Sequence, residues 1–413
     1  MSTAELSFGS DRWFVRTRSG RAILAGVIAV LLCALPSRVA PTIYNNYVLF
    51  ADALLHHHLW ISNWPGPRID AVLFHGHRYI VNDPVPGLLL LPYVALLGLQ
   101  ANQTLLAVML GGVAAGATWR TAENLGLPLW RTFVLCAFIF GGTDLWWAST
   151  LGDVWFLAQT AAFAFTMLCL MQLSGPRARG SLVALAYGLA VGSRFTMVMA
   201  LPVIAYLVYR GNLGAPEPAP GGLRRLASFA LVTALFAALW MWYNELRWGV
   251  PWDSGHTIFY HEDVDVGSPA GSPFGLSNLP MQLQSFFLAP PLLGTEFPFV
   301  TPLIKGTALT YTSPTLVFAF FAREPRASVR ALWVAIVLVA APSFLYYVNG
   351  YAQYGMRHAL DFEPFLFILL VFAARNVMPR WVSWTTLYSI LASGVGIWYW
   401  LAIVRAATTV GAS

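Results

Sequence analysis

Apolar runs of about twenty residues recur along the chain, separated by short loops that carry arginines. Each is close to the ~20 residues that a helix needs to cross a bilayer. They lie at roughly 21–40, 84–99, 102–119, 132–149, 154–173, 181–208, 226–243, 306–321, 331–348, 359–374 and 383–403. The runs are continuous rather than alternating, which argues against a β-barrel. The pattern predicts an all-α polytopic membrane protein, a single integral-membrane domain over 1–413 with about 9–11 transmembrane helices.

The loop arginines orient these runs. Arg12, Arg16, Arg18 and Arg21 precede the first, which reads as an uncleaved anchor. Arg120/Arg131, Arg177/Arg179, Arg210/Arg224/Arg225, Arg323/Arg326/Arg330 and Arg375/Arg380 mark further basic loops. Basic loops are cytoplasmic, so the N-terminus is expected inside, with the linker 211–223. The two long loops, 41–83 and 244–305, then fall on the extracytoplasmic side. Residues 181–208 have basic loops on both sides and must go in and come back, breaking at Gly192-Ser193-Arg194. Non-helical backbone at depth is tolerated where it is buried in protein or lines a cavity. By the same parity the short run with Pro84, Pro86 and Pro92 is expected to be re-entrant or interfacial.

Composition narrows the class. Of 413 residues, 58% are hydrophobic and 10% charged, so no soluble domain is expected and the bilayer is the main partner. The net charge of +6 comes from the arginines between spans, which reads as topology and not as nucleic-acid binding. Cys33, Cys136 and Cys169 all fall in apolar runs, against a disulfide framework or a cysteine metal site.

Against this background the stretch Tyr351–Leu366, YAQYGMRHALDFEPFL, stands out. Arg357, His358, Asp361 and Glu363 crowd the threshold of an apolar run, where charges are costly and usually functional. Asp361 follows Arg357 by four residues, so on an α-helix the two would pair. Gln353 and Tyr354 add polar groups that such a pair does not need. In the first long loop Asn45, Asp52 and His56 fall on one helical stripe. That stripe fits either the wet face of an interfacial helix or the floor of an active site. Adjacent residues do not face each other on a helix, so His56-His57-His58 cannot chelate together. Arg78 suits either a phosphate or the lipid headgroups.

Elsewhere, Asp144 and Asp153 flank two tryptophans. Asp153 fits a helix cap, while Asp144 is the better functional candidate. Arg194, at the break, needs an anionic or carbonyl partner. The second long loop opens with YNELRWGVPWDSGH, containing Asn244, Arg247 and His256, and continues through Tyr260, His261, Glu262, Asp263 and Asp265. Its stretch NLPMQLQSFFLAPPLL is expected to lie on the membrane.

The order of these features resembles the GT-C integral-membrane glycosyltransferases, in their bacterial polyprenyl-phosphate-sugar-dependent branch. The resemblance rests on NNYVLFADALL…HRYIVNDPVPGLLLLP, GLAVGSRFTMVMALP, YNELRWGVPWDSGH and QYGMRHALDFEPFL, in that order over nearly the whole chain. It implies a GT-C-like bundle with short broken helices and two long extracytoplasmic loops, in the bacterial cytoplasmic membrane. It also implies sugar transfer from a polyprenyl phosphate to an envelope glycan, lipid or protein at the outer face. The family places an acidic residue after the first span, as base or metal ligand. Here that position reads Asn45-Asn46, and an amide is no general base.

The expected roles follow. Asp52, with His56 or Asp144 in reserve, would take the acceptor's proton. Arg357, oriented by Asp361 and supported by Arg78 or Arg247, would neutralise the leaving phosphate. Gln353, Tyr354, His358, Asn244, Asn45 and Asn46 complete the substrate-binding set. No ligand set has diagnostic metal spacing, so a divalent cation is left open and no other cofactor is expected. Two alternatives stand beside the transferase: a transporter or flippase for a lipid-linked substrate, and a non-catalytic lipid-binding relative.

Overall fold

The computed structural model describes residues 17–65, 69–261, 272–297 and 299–404. Arg12, Arg16, Glu262, Asp263 and Asp265 lie outside them. The first half of the chain forms α1 (Arg18–Ser37), α2 (Asn46–Leu55), a hairpin of β1 (Ala71–Phe74) and β2 (His77–Ile80), and α3 (Val85–Leu97). Then come α4 (Gln103–Asn124), α5 (Leu129–Gly141), α6 (Asp144–Leu151), α7 (Val154–Ser174), α8 (Gly180–Val191), α9 (Leu201–Arg210) and α10 (Gly222–Trp248). The second long loop carries α11 (His256–His261), α12 (Leu279–Phe287) and three short strands, β3 (Leu292–Leu293), β4 (Val300–Thr301) and β5 (Lys305–Thr307). The remainder is α13 (Leu309–Thr312), α14 (Arg326–Leu345), β6 (Gln353–Gly355), α15 (Glu363–Ala374) and α16 (Arg380–Tyr399).

The protein is mostly helical, with little sheet, as the apolar runs predict. Among the described residues five helices are long and apolar enough to cross a membrane: α1, α4, α7, α10 and α14. The bent pair α5 and α6 makes a sixth, with 54° between its halves. Most other expected crossings are built from shorter apolar helices, and α16, at 20 residues, is long enough but less apolar, so full-length apolar spans are fewer than the runs suggest. The run 132–149 bends at Gly142-Thr143, where the Thr143 side chain caps α6 by accepting the Leu145 N–H at 3.3 Å. The run 306–321 is not one α-helix: Ser313 and Pro314 divide α13 from a 3-10 stretch over Pro314–Phe321.

The broken segment does go in and come back. α8 ends at Gly192, a 3-10 turn spans Phe195–Ala200, and α9 returns. α3 has both ends on one side of the bundle: the Val85 N–H bonds the Gly192 carbonyl at 2.9 Å, and beyond its other end Asn102 Nδ2 reaches the Val39 carbonyl at 2.6 Å. At the opposite end arginines join the basic loops. Arg131 Nη1 donates to the Ala374 and Arg375 carbonyls at 2.5 and 2.9 Å, and Arg375 Nε to the Leu125 carbonyl at 3.0 Å.

Side-by-side packing runs α1, α4, α7, α8, α10. α15, apolar around its whole circumference, is buried among α5, α7, α14 and the 3-10 stretch. The contact of α1 with α4 depends on small residues, since apolar side chains gain little from leaving lipid and close backbone approach supplies the attraction. Gly112 and Gly116 face Ala22 and Gly26; a Cβ on Gly112 would sit 2.6 Å from Val30 Cγ2 and 3.0 Å from the Gly26 carbonyl.

Gly112→Val is therefore expected to destabilise the fold by about 1–3 kcal/mol through overpacking. Leu105→Ala, on the exposed face of α4, should stay within about 0.5 kcal/mol. Thermal unfolding in detergent distinguishes the two; equal midpoints would remove the close-approach argument.

Candidate functional site

The hairpin starts the site. Val72 and Tyr79 face a small core while the turn residues His75 (φ 47°) and Gly76 (φ 80°) take the left-handed conformations of a tight two-residue turn. Pairing Ala71 with Ile80 brings Asp70 beside Asn82, whose Nδ2 donates to Asp70 Oδ2 at 3.1 Å. Trp155, in the first turn of α7, donates its Nε1–H to the same oxygen at 2.6 Å. Asn46 Nδ2 ties the preceding turn down through the Ile69 carbonyl at 2.9 Å. Burial pushes the Asp70 carboxyl up, against the opposing pull of the Asn82 and Trp155 hydrogen bonds and the nearby Arg357. Asp83 accepts the Phe195 N–H at 2.8 Å, and burial raises it to about 6.

The break after α8 supplies the second part. Arg194 Nη2 donates to Asp361 Oδ2 at 2.7 Å, and Thr196 Oγ1 donates to the same oxygen at 3.1 Å. The same guanidinium lies 3.5 Å from His358 Nδ1. The expected pair of Arg357 with Asp361 is not formed. Residues Arg357–Asp361 wind as a 3-10 helix, in which positions four apart no longer align, and Arg194 takes the carboxylate instead.

Arg357 is held by other means. Its Nε donates to Gln353 Oε1 at 2.8 Å. The Gln353 amide is fixed in turn by its Nε2, which donates to the Lys305 and Asn349 carbonyls at 2.7 and 2.9 Å. Strand β6, which carries Gln353, runs parallel to β5. The guanidinium carbon lies 5.7 Å from the Phe156 ring centre and 6.0 Å from that of Trp155. Arg357 is 9% exposed, yet among the described residues its two Nη groups make no hydrogen bond and no carboxylate pairs with it. Trp155 thus connects a carboxylate, Asp70, to a guanidinium with free donors.

Other expected residues are placed differently. Arg247 is buried between the Tyr243 and Trp248 rings, and its Nη groups are spent on the Ile80 carbonyl at 2.9 Å and Asn244 Oδ1 at 3.0 Å. Both residues thereby brace the hairpin. α2 is buried over most of its surface rather than lying on the membrane face. Asn45 sits half-buried at its start. Half-buried Asp52 and exposed His56 pair at its far end, 3.7 Å apart, with no hydrogen bond or ion pair to the cluster among the described residues. Arg78 is half-buried on β2, opposite Leu73. Asp144 is enclosed against the backbone of Gly355, with Glu363 as a neighbouring carboxylate. Tyr354 packs its ring on Gly396 of α16. The carboxylate of Asp153 receives the Thr42 hydroxyl and does not cap α7.

Asp70, Asn82 and Trp155 escaped the sequence reading. The signal that could have found them is AVLF-HG-HRYI, two short β-rich stretches around a glycine turn, which marks a hairpin and hence the neighbours at its base. Among the described residues no three His, Cys, Asp or Glu side chains form a metal-holding group.

No family model matches the chain, and no curated protein matches it. A solved structure does: ArnT from Cupriavidus metallidurans, crystallised bound to undecaprenyl phosphate. The match has a TM-score of 0.52 at 15% identity and covers 89% of this chain and 62% of that one. The likeness shows that the chain shares the fold of that protein over most of its own length, and the chain spans less than two thirds of the relative's length.

Removing one partner of a buried ion pair leaves the other charge uncompensated, at about 3–5 kcal/mol. Arg194→Gln is expected to lose that much stability, and Arg194→Gln with Asp361→Asn distinctly less. Unfolding midpoints of the single and double variants measure this; additive losses would mean the pair is not coupled.

Proposed function

We propose that this chain, built on the GT-C-type fold, transfers a sugar from a polyprenyl phosphate to an acceptor hydroxyl at the membrane face opposite the basic loops. The observation that carries the reading is Arg357: a nearly buried guanidinium, aimed by Gln353, whose terminal donors have no protein partner. A buried cation with unused donors suits an anion that arrives with the substrate, and guanidinium can hold two phosphate oxygens at once. ArnT was crystallised with undecaprenyl phosphate, which supports a polyprenyl carrier as that anion.

In this reading Asp70 is the base, in place of Asp52, His56 or Asp144. It accepts the acceptor's proton as the hydroxyl oxygen forms a bond to the anomeric carbon. The bond from that carbon to the phosphate oxygen breaks, its electron pair stays on the polyprenyl phosphate, and Arg357 stabilises the charge. A carboxyl raised by burial is better matched to proton transfer near neutral pH than an ordinary one. Trp155 and Asn82 bond one carboxylate oxygen, Oδ2, and leave Oδ1 for the acceptor. Asn46 holds the Asp70 turn, so the amide in the family's acidic position acts here as a positioning residue.

The basic loops support a cytoplasmic N-terminus and an extracytoplasmic site. Asp52 and His56, away from the cluster, suit the acceptor's approach better than proton transfer.

The test uses full-length protein in proteoliposomes with labelled polyprenyl-phosphate sugars and an envelope extract as acceptor. Asp70→Asn is expected to lower turnover by 10²-fold or more while donor lipid still binds. Arg357→Ala should weaken both, and Asp52→Asn should change turnover less than threefold. Donor binding that survives Arg357→Ala intact would sink the phosphate assignment. Transport of the lipid without sugar transfer would favour the flippase reading.

A further inference from the structure

At the basic end of the bundle, far from the cluster, a groove of about 830 Å³ runs between α1, α4 and the end of α7. Its shaft is apolar and lipid-facing: Ile23, Val27 and Leu31 of α1 are each about half exposed along it. Its mouth is not apolar. Arg120, near the end of α4, and Arg177, in the loop after α7, line it together with Asn124 and Gln172.

Neither arginine is used by the fold. Arg21 nearby pairs with Glu123 at 2.6 Å, and Arg131 and Arg375 are spent on carbonyls. Among the described residues Arg120 and Arg177 have no hydrogen bond and no carboxylate partner. Two unneutralised guanidiniums therefore converge at the end of an oily channel.

The dimensions fix the occupant. From Ser19 at the mouth to Leu31 the helix rises about 18 Å at ~1.5 Å per residue. One leaflet of the hydrocarbon core is about 15 Å, half of ~30 Å. We propose that the groove is a binding site for an anionic phospholipid of the leaflet on the basic side. Arg120 and Arg177 hold its headgroup, and one acyl chain lies along Val27. Charge selects the lipid, because a zwitterionic headgroup brings its own cation to the two arginines and gains less from them. α1 touches the bundle chiefly through α4, so a lipid in this groove also fills the space beside that contact.

Native mass spectrometry of the full chain, titrated with phosphatidylglycerol and phosphatidylcholine of equal chain length, tests the site. Wild-type protein is expected to retain phosphatidylglycerol at least tenfold more tightly. Arg120→Gln with Arg177→Gln should abolish the preference, while Arg380→Gln, exposed at the same end but outside the groove, should leave it. Val27→Trp, which fills the shaft, should weaken retention of both lipids. Equal retention of the two lipids by wild-type protein overturns the proposal, even where the double variant fails to fold. So does an unaltered preference in the double variant, or full phosphatidylglycerol affinity in Val27→Trp.

Discussion

The ion pair between Arg194 and Asp361 is the interaction on which the polar cluster depends. It joins the break of one hydrophobic segment to the turn that begins another, 167 residues later. An arginine and an aspartate in this setting are each expensive alone and tolerable together. Their pairing fixes the 3-10 turn of Arg357–Asp361, and that turn sets where the Arg357 guanidinium sits. The pair also releases Arg357 from its own neighbouring carboxylate.

Around that pair the site is assembled from segment ends rather than from any one helix. The hairpin contributes Asp70 and Asn82, the start of α7 Trp155, and the parallel strand pair β5 and β6 the orientation of Gln353. Arg247 and Asn244 brace the hairpin from α10. The spans thus act as a rigid frame, while the polar cluster sits on short irregular backbone whose polar groups are satisfied by neighbours. This division follows from the bilayer: irregular structure survives only where protein encloses it.

The two ends of the bundle solve opposite problems with the same residue type. At the basic end several arginines saturate carbonyls left by loop ends, as Arg131, Arg210 and Arg225 do. In the cluster at the other end Arg194 and Arg247 are structural, and Arg357 alone of the three keeps both Nη groups unspent among the described residues. Arginine count therefore says little about phosphate binding; what distinguishes a binding arginine is the donors that the fold leaves unused.

The sequence by itself determined the membrane class, the positions of the long apolar helices, the break at Gly192-Ser193-Arg194 and the gathering of arginines at one end. These are local properties: hydropathy over twenty residues, the absence of a side chain or of an N–H, and loop charge. It also singled out the stretch around Arg357, because charge beside an apolar run is visible without a partner. Only the tertiary structure decided which charges meet. A spacing of four suggested Arg357 with Asp361, but a 3-10 turn and a distant arginine made the pair Arg194 with Asp361. The hairpin made Asp70, an unremarked loop residue, the carboxylate beside Arg357, and left Asp52 and His56 outside. Polar partners are chosen by which segments pack together, and periodicity along the chain carries no record of that choice.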